Sequence, residues 1–180
     1  MKTVLIVEDE KLIRQGIRTM VQRSGVPIEV IMECNNGEAA LEILKDQKVD
    51  VMFTDIRMPK MDGLELVREV QKLSHKPQIV AVSGYDDFAY AVELLRHGVR
   101  EYILKPVERE KITAILKTLE EEYEQKRKQA QADHQIGKNQ IRYLLMNENP
   151  DDKEVQLLEQ KYEEQFFPGG YQVCVAGKGF

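Results

Sequence analysis

Apolar residues in this chain fall into two alternating patterns. Short unbroken runs end abruptly on a polar or turn-forming residue. Between them, apolar positions recur every three or four residues, the spacing of one helix face. The clearest run is Val51-Met52-Phe53-Thr54-Asp55-Ile56-Arg57-Met58-Pro59. It begins rich in β-formers, as a strand buried on both faces does, and Pro59 forces a turn soon after Asp55. Asp55 is therefore expected at the carboxyl end of a buried strand, where open α/β sheets place their ligands.

The other runs fall in order around it. Thr3-Val4-Leu5-Ile6-Val7 predicts a strand that ends in Glu8-Asp9-Glu10. Ile13, Ile17, Met20 and Val21 mark a helix that Gly25 can stop. Residues 28–32 predict a second strand, and Asn36 can cap a helix burying Ala40, Ile43 and Leu44. After the Asp55 strand, Asp62 and Glu65 are placed like a capping box ahead of Leu66, Val67, Val70 and Leu73. Residues 78–82 predict a fourth strand, ended by Ser83-Gly84. Phe88, Ala91, Val92 and Leu95 predict the stripe of another helix, and Gly98 can end it. Tyr102-Ile103-Leu104 predicts a fifth strand, closed by Lys105-Pro106, and a helix starts soon after. Five alternations in about 120 residues, with short connections, predict an α/β fold. It is a five-stranded parallel doubly wound sheet with helices on both faces and right-handed crossovers. A strand order of 2-1-3-4-5 fits, although pattern alone does not fix it.

Composition narrows the picture modestly. The chain has 180 residues, enough for one domain and an appendage or for two small domains. Hydrophobic residues make up 42% and charged residues 32%, ordinary globular values. A net charge of −5 gives no general electrostatic case for binding nucleic acid. Cys34 and Cys174 lie far apart and form no C-x-x-C, which favours free thiols in a reducing compartment. The first apolar run is too short for a signal segment or a membrane span, so the expectation is a soluble cytoplasmic protein with no membrane contact.

Four strands are expected to end in polar groups: Glu8 and Asp9, Asp55, Ser83, and Lys105. In a parallel sheet these ends share one edge. Crowded carboxylates repel one another and bind protons or a cation. Oxygen ligands with room for water suit Mg²⁺. With a lysine and a hydroxyl beside them, the set meets the needs of phosphoryl transfer, in which an aspartate can be the nucleophile and form an acyl phosphate. Singly, each piece has an ordinary reading as a helix-start charge, a turn or a loop. Their joint occurrence at the strand ends of one sheet is the signal.

Val7-Glu8-Asp9-Glu10, Thr54-Asp55-Ile56-Arg57-Met58-Pro59-Lys60-Met61-Asp62-Gly63, Ser83-Gly84 and Tyr102-Ile103-Leu104-Lys105-Pro106 closely resemble the CheY-like receiver domain of two-component response regulators. The resemblance covers residues 1 to about 120 and implies the flavodoxin-like order 2-1-3-4-5. Ser83-Gly84-Tyr85-Asp86-Asp87-Phe88 resembles the YesN-type subgroup, whose chains end in an AraC-type helix-turn-helix. The resemblance implies that Asp55 is the phosphoacceptor. It makes Asp9, Asp55 and the backbone carbonyl of Arg57 the Mg²⁺ ligands, with Glu8 acting through water. Ser83 and Lys105 would contact the phosphoryl group, Tyr102 would be the aromatic switch, and the bond before Pro106 would be cis. Glu8 departs from the family pattern, where aspartate is commoner at that place.

Beyond the fifth strand a helical pattern runs far. Ile112, Leu116, Leu119 and Tyr123 follow coiled-coil spacing, but the seam then turns polar or small at Lys126, Ala130 and Asp133. Core packing is expected up to about Leu119 and a helical extension beyond it. An apolar stripe returns at Ile141, Leu144 and Leu145. Residues 147–152 read as a break, Val155, Leu157, Leu158 and Tyr162 as a further helix, residues 166–170 as a turn, and 171–176 as a strand. The expected division is a receiver over 1–122, a helical linker and candidate coiled coil over 123–148, and over 149–180 the start of a further domain that continues past this chain.

The expected function is a response regulator that accepts a phosphoryl group on Asp55 from a sensor histidine kinase. It would control transcription through an AraC-type DNA-binding domain absent from these residues. Two surfaces are candidates for a homodimer, the helical extension and the face of the fourth and fifth helices. The chain is not expected to be a turnover enzyme. A haloacid-dehalogenase-type hydrolase also uses an aspartyl nucleophile, but its motif resembles D-x-D, and Asp55-Ile56-Arg57 lacks the second acid. A pseudo-receiver that only dimerises is the third class, and the intact acid, hydroxyl and lysine set argues against it.

Overall fold

The computed structural model describes residues 1–84 and 88–146. Strands and helices alternate as β1 (Thr3–Val7), α1 (Lys11–Gln22), β2 (Val30–Cys34), α2 (Gly37–Asp46), β3 (Val51–Asp55), α3 (Gly63–Val70), β4 (Gln78–Ser83), α4 (Phe88–Arg96), β5 (Val99–Leu104) and α5 (Arg109–Met146). The five strands form one parallel sheet in the order β2-β1-β3-β4-β5. This is the expected doubly wound architecture. The chain divides into two compact units, Met1–Glu124 and Gln125–Phe180.

Strand period two builds two separate cores. Leu5, Val7, Met52, Ile79 and Ala81 face one side, with Leu66, Val67 and Val70 of α3 and Leu94 of α4. Val4, Ile6, Val51, Phe53, Val80, Val82 and Ile103 face the other, with Ile17 and Val21 of α1 and Ile112, Leu116 and Leu119 of α5. The central strands are buried on both faces, so their runs are continuously apolar rather than alternating.

Helix starts follow their capping residues. The Asn36 side chain accepts from the Ala39 amide at 2.9 Å, and the Asp62 side chain from the Glu65 amide at 2.8 Å. Gly25 and Gly98 both take positive φ, 76° and 83°, as helix-ending glycines do.

Three boundaries or faces differ from the sequence expectation. β2 starts at Val30 rather than residue 28, where the Glu29 and Val30 amides both bond the Lys2 carbonyl. β5 starts at Val99, because pairing to Ile79 across a register shift extends it beyond its apolar core. Among the described side chains of α4 the fully buried one is Leu94, while Leu95 is half exposed. Neighbours on a helix point about 100° apart, so only one of the two leucines can face the sheet. The side chain of Phe88 lies outside those described.

Among the described side chains of α5, Leu119 is the last that is fully buried, and residues 125–132 are exposed. Two polar ties hold the preceding turn to the sheet. Arg100 of β5 pairs with Glu122 through both guanidinium nitrogens, and the Tyr123 hydroxyl donates to the Asp50 carbonyl at 3.2 Å. The stripe expected at Ile141, Leu144 and Leu145 rests on side chains outside those described. The break, helix, turn and strand expected over 147–176 lie outside the described residues, as does Tyr85-Asp86-Asp87.

Candidate functional site

Parallel strands bring their carboxyl ends to one edge of the sheet, so β1, β3, β4 and β5 deliver Glu8-Asp9, Asp55, Ser83 and Lys105 to one place. Glu8, Asp55 and Ser83 are buried, Asp9 is exposed and Lys105 is partly covered. Carboxylate oxygens of Glu8, Asp9 and Asp55 all lie within 4.8 Å of one another. The Lys105 Nζ stands 3.1 Å from Asp55 Oδ2, donating a hydrogen bond, and 2.9 Å from Glu8 Oε2. The contact to Glu8 is an ion contact without hydrogen-bond alignment, so Glu8 Oε2 is a buried acid oxygen lacking a directed donor. Asp55 Oδ1 accepts from the Ile56 amide at 2.7 Å, which fixes its carboxylate plane.

Backbone contacts set these side chains in place. The Lys105 amide donates to the Ser83 carbonyl at 2.7 Å, which ties the end of β5 to β4. The Lys105–Pro106 bond is cis. Beneath Asp55, the Gly63 amide bonds the Ile56 carbonyl at 2.7 Å. A Cβ at Gly63 would stand 2.2 Å from the Asp55 carbonyl oxygen, so only glycine fits there. Arg57 lies exposed on the loop after β3, and Tyr102 is half-buried on β5 against the core shared by α3 and α4.

The electrostatics follow from crowding. Burial, with the charge of Asp55 adding to it, pushes the Glu8 carboxyl up to about 7 against the opposing pull of Lys105. Burial acts to lower the Lys105 ammonium, but the Glu8 and Asp55 carboxylates outweigh it and raise it, so the lysine is firmly charged. Three carboxylates against one ammonium leave the site short of positive charge. A hard divalent cation fits such a donor set, and the undirected Glu8 oxygen is where one would be expected to pull.

Two supporting features were not read from the sequence. Gly63 belonged to the family motif, but its contact with the Asp55 backbone is a packing relation that no motif states. Arg14 of α1 donates from Nη1 to the Glu8 carbonyl at 2.6 Å, and nothing in the helical periodicity marks it. An open cleft of about 640 Å³ lies beside it, between α2 and the β2 edge; its lining includes Arg14, Glu33 and Asn35 but not Asp55.

Residues 4–117 match the response regulator receiver domain family, and the chain belongs to it. It is 31% identical over 140 residues to the uncharacterized transcriptional regulatory protein YesN of Bacillus subtilis, covering 76% of this chain and 38% of that protein. Among solved structures it is similar to the response regulatory domain of protein mrkE from Klebsiella pneumoniae, at 34% identity and a TM-score of 0.63, covering 69% of this chain and 99% of that one. It is also similar to the REC domain of AraT, a response regulator from Geobacillus stearothermophilus, at 35% identity and a TM-score of 0.61, covering 69% and 97%. The chain spans between 38% and 48% of the length of the curated relatives it matches. Among the described residues, no helix is long and apolar enough to cross a membrane.

Proposed function

We propose that this receiver is a phosphorylation switch, with Asp55 accepting the phosphoryl group of a phosphohistidine on a sensor histidine kinase. An Asp55 carboxylate oxygen attacks phosphorus, the P–N bond breaks, and the imidazole leaves with the electron pair. The observation that supports this reading is the Lys105 ammonium held within 3.1 Å of Asp55 beside a cluster of three carboxylates. Asp9, Asp55 and the backbone carbonyl of Arg57 would hold Mg²⁺, with Glu8 reaching it through water. When bound, the ion offsets negative charge on the phosphoryl oxygens.

Lys105 pairs with a phosphoryl oxygen once Asp55 carries the acyl phosphate, and the Ser83 hydroxyl donates to another. The new group carries about −1.5 to −2 charges. Drawing Ser83 toward it vacates space that Tyr102 turns inward to fill, and the face of α4, β5 and α5 changes with it. Residues 1–122 act as the receiver and 123–148 as a helical linker, a candidate coiled coil. Residues 149–180 would open a further domain, and an AraC-type domain would supply the DNA contact. The linker and the α4–α5 face are the two candidate homodimer surfaces. The protein works in the cytoplasm and does not turn over phosphate esters.

The test is labelling of the chain with acetyl phosphate, with and without Mg²⁺, read by intact mass. One phosphoryl group per chain is expected, dependent on Mg²⁺ and lost in Asp55→Asn, which fills the same space with a neutral amide. Multiple turnovers of a phosphate ester such as p-nitrophenyl phosphate, or equal labelling of Asp55→Asn, would refute the reading.

A further inference from the structure

Within the loop that carries Glu8 and Asp9, the Glu10 amide donates to Glu8 Oε1 at 3.4 Å. The loop runs from the end of β1 into α1, whose N-cap residue, Glu10, makes no side-chain capping bond. On one side the Glu8 amide donates to the Cys34 carbonyl of β2 at 3.2 Å. The carbonyl side of the loop is met by Arg14, one turn into α1. Its Nη1 stands 2.6 Å from the Glu8 carbonyl oxygen and 3.4 Å from that of Asp9. Its Nε faces Glu33 Oε2 of β2 at 3.5 Å, while Arg18 Nη1 holds the other Glu33 oxygen at 2.5 Å.

A guanidinium presents donors along two edges of one plane, so it can grip the loop with one edge and Glu33 with the other. The Arg14 side chain is 16% exposed, and that of Glu33 23%, so the grip is largely shielded from water. Arg14 therefore links the acidic loop to the edge strand rather than to bulk solvent. It touches no carboxylate of the site itself in this arrangement. It contacts the backbone of both acids.

Resting on the Mg²⁺-dependent reading above, we propose that Arg14 is a positioning residue for the acidic pair. The bracket Arg18–Glu33–Arg14 holds Glu8 and Asp9 in the cation-binding arrangement. Partners one step removed from a metal commonly change its affinity by 10–100-fold when lost. Simple charge arithmetic gives the opposite expectation, because Arg14 is a cation close to where another cation would sit. Removing it should then tighten binding. The two readings thus differ in sign.

The experiment is a Mg²⁺ titration of the 180-residue chain followed by backbone amide shifts in NMR, for the wild type, Arg14→Met and Arg14→Lys. Arg14→Met keeps a stem of similar bulk and removes the charge. Arg14→Lys keeps the charge and removes the fork. Positioning predicts that both weaken Mg²⁺ roughly tenfold. In acetyl phosphate labelling, the half-saturating Mg²⁺ should rise by the same factor while labelling recovers at high Mg²⁺. Tighter binding in Arg14→Met, or unchanged binding in Arg14→Lys, would overturn the proposal. Should Arg14→Met fail to fold, the lysine variant decides it alone. A wild-type chain that shows no Mg²⁺ response would overturn the phosphorylation reading as well, whereas a normal wild type with unaffected variants overturns this proposal only.

Discussion

Lys105 and Asp55 lie fifty residues apart in sequence, and 3.1 Å separates the ammonium nitrogen from a carboxylate oxygen. The same ammonium stands 2.9 Å from Glu8, so one cation from β5 is shared by acids from β1 and β3. Lys105→Met is expected to keep Mg²⁺ binding, since the acids remain, and to lose the phosphate response. In NMR with beryllofluoride, wild type should show shifts reaching Ser83 and Tyr102. The variant's shifts should stay near Asp55. Normal propagation in the variant would contradict the role given to Lys105.

The proposed cation binding is expected to depend on pH through Glu8. Its carboxyl sits at about 7, above its ordinary value of 4.5, because burial and then the Asp55 charge disfavour ionisation. A raised carboxyl means the folded, metal-free chain holds the proton more tightly than the unfolded chain does. The Glu8 contribution to stability is therefore full below pH 4.5 and is lost as pH rises through 7. Cation binding should displace that proton. Mg²⁺ affinity is expected to fall as pH drops from 8 to 6, and Glu8→Gln should flatten that dependence. In metal-free buffer, the unfolding temperature of Glu8→Gln relative to wild type should rise between pH 5 and pH 8. A constant difference across that range would exclude Glu8 as the titrating group.

Gly63 lies against the backbone of Asp55. A methyl group there would meet the Asp55 carbonyl oxygen at 2.2 Å and the Ile56 Cα at 2.8 Å, both backbone atoms that cannot swing away. Gly63→Ala is expected to cost about 1–3 kcal/mol, as overpacking does. It should also slow Asp55 labelling, because relief of the clash moves the strand end. Urea unfolding and a labelling time course would check the two effects separately.

The α5 helix divides energetically at Leu119. Leu116 is fully buried in the core shared with α1, and Leu116→Ala should cost about 2–5 kcal/mol. Lys126 is exposed, so Lys126→Ala should change the receiver's stability by less than about 0.5 kcal/mol. Chemical denaturation of the two variants would test this. A large loss from Lys126→Ala would mean that the exposed stretch is packed in solution.

These relations were not equally legible in the sequence. β1 and β3 could be read to the residue, because both are buried on two faces and a carboxylate follows the first and ends the second. Asn36 and Asp62 could be read because capping is local chemistry between residues three apart. β2 and β5 are the sheet edges, where burial is partial and the apolar signal is weak, so their boundaries shifted. Leu94 and Leu95 are equally apolar, and only contact with the sheet distinguishes them. The polar residues at four strand ends could be named in advance, since parallel strands share an edge. Arg14 could not, because its role depends on carbonyl directions that no residue type encodes.

The strand order also dictates when the site comes into being. β1 is synthesised first, yet its register partner Val51 for Val4 follows 47 positions later, and Lys105 follows Asp55 by fifty. At the ribosome's pace of roughly 5–20 residues per second, that last interval is roughly 3–10 seconds. Pairings between such distant segments form slowly even in a finished chain. Through that interval the nascent polypeptide carries Glu8, Asp9 and Asp55 without the ammonium that will sit among them. A ribosome stalled before β5 would thus present the acidic strand end of β3 with no counter-charge and an unpaired β4 edge.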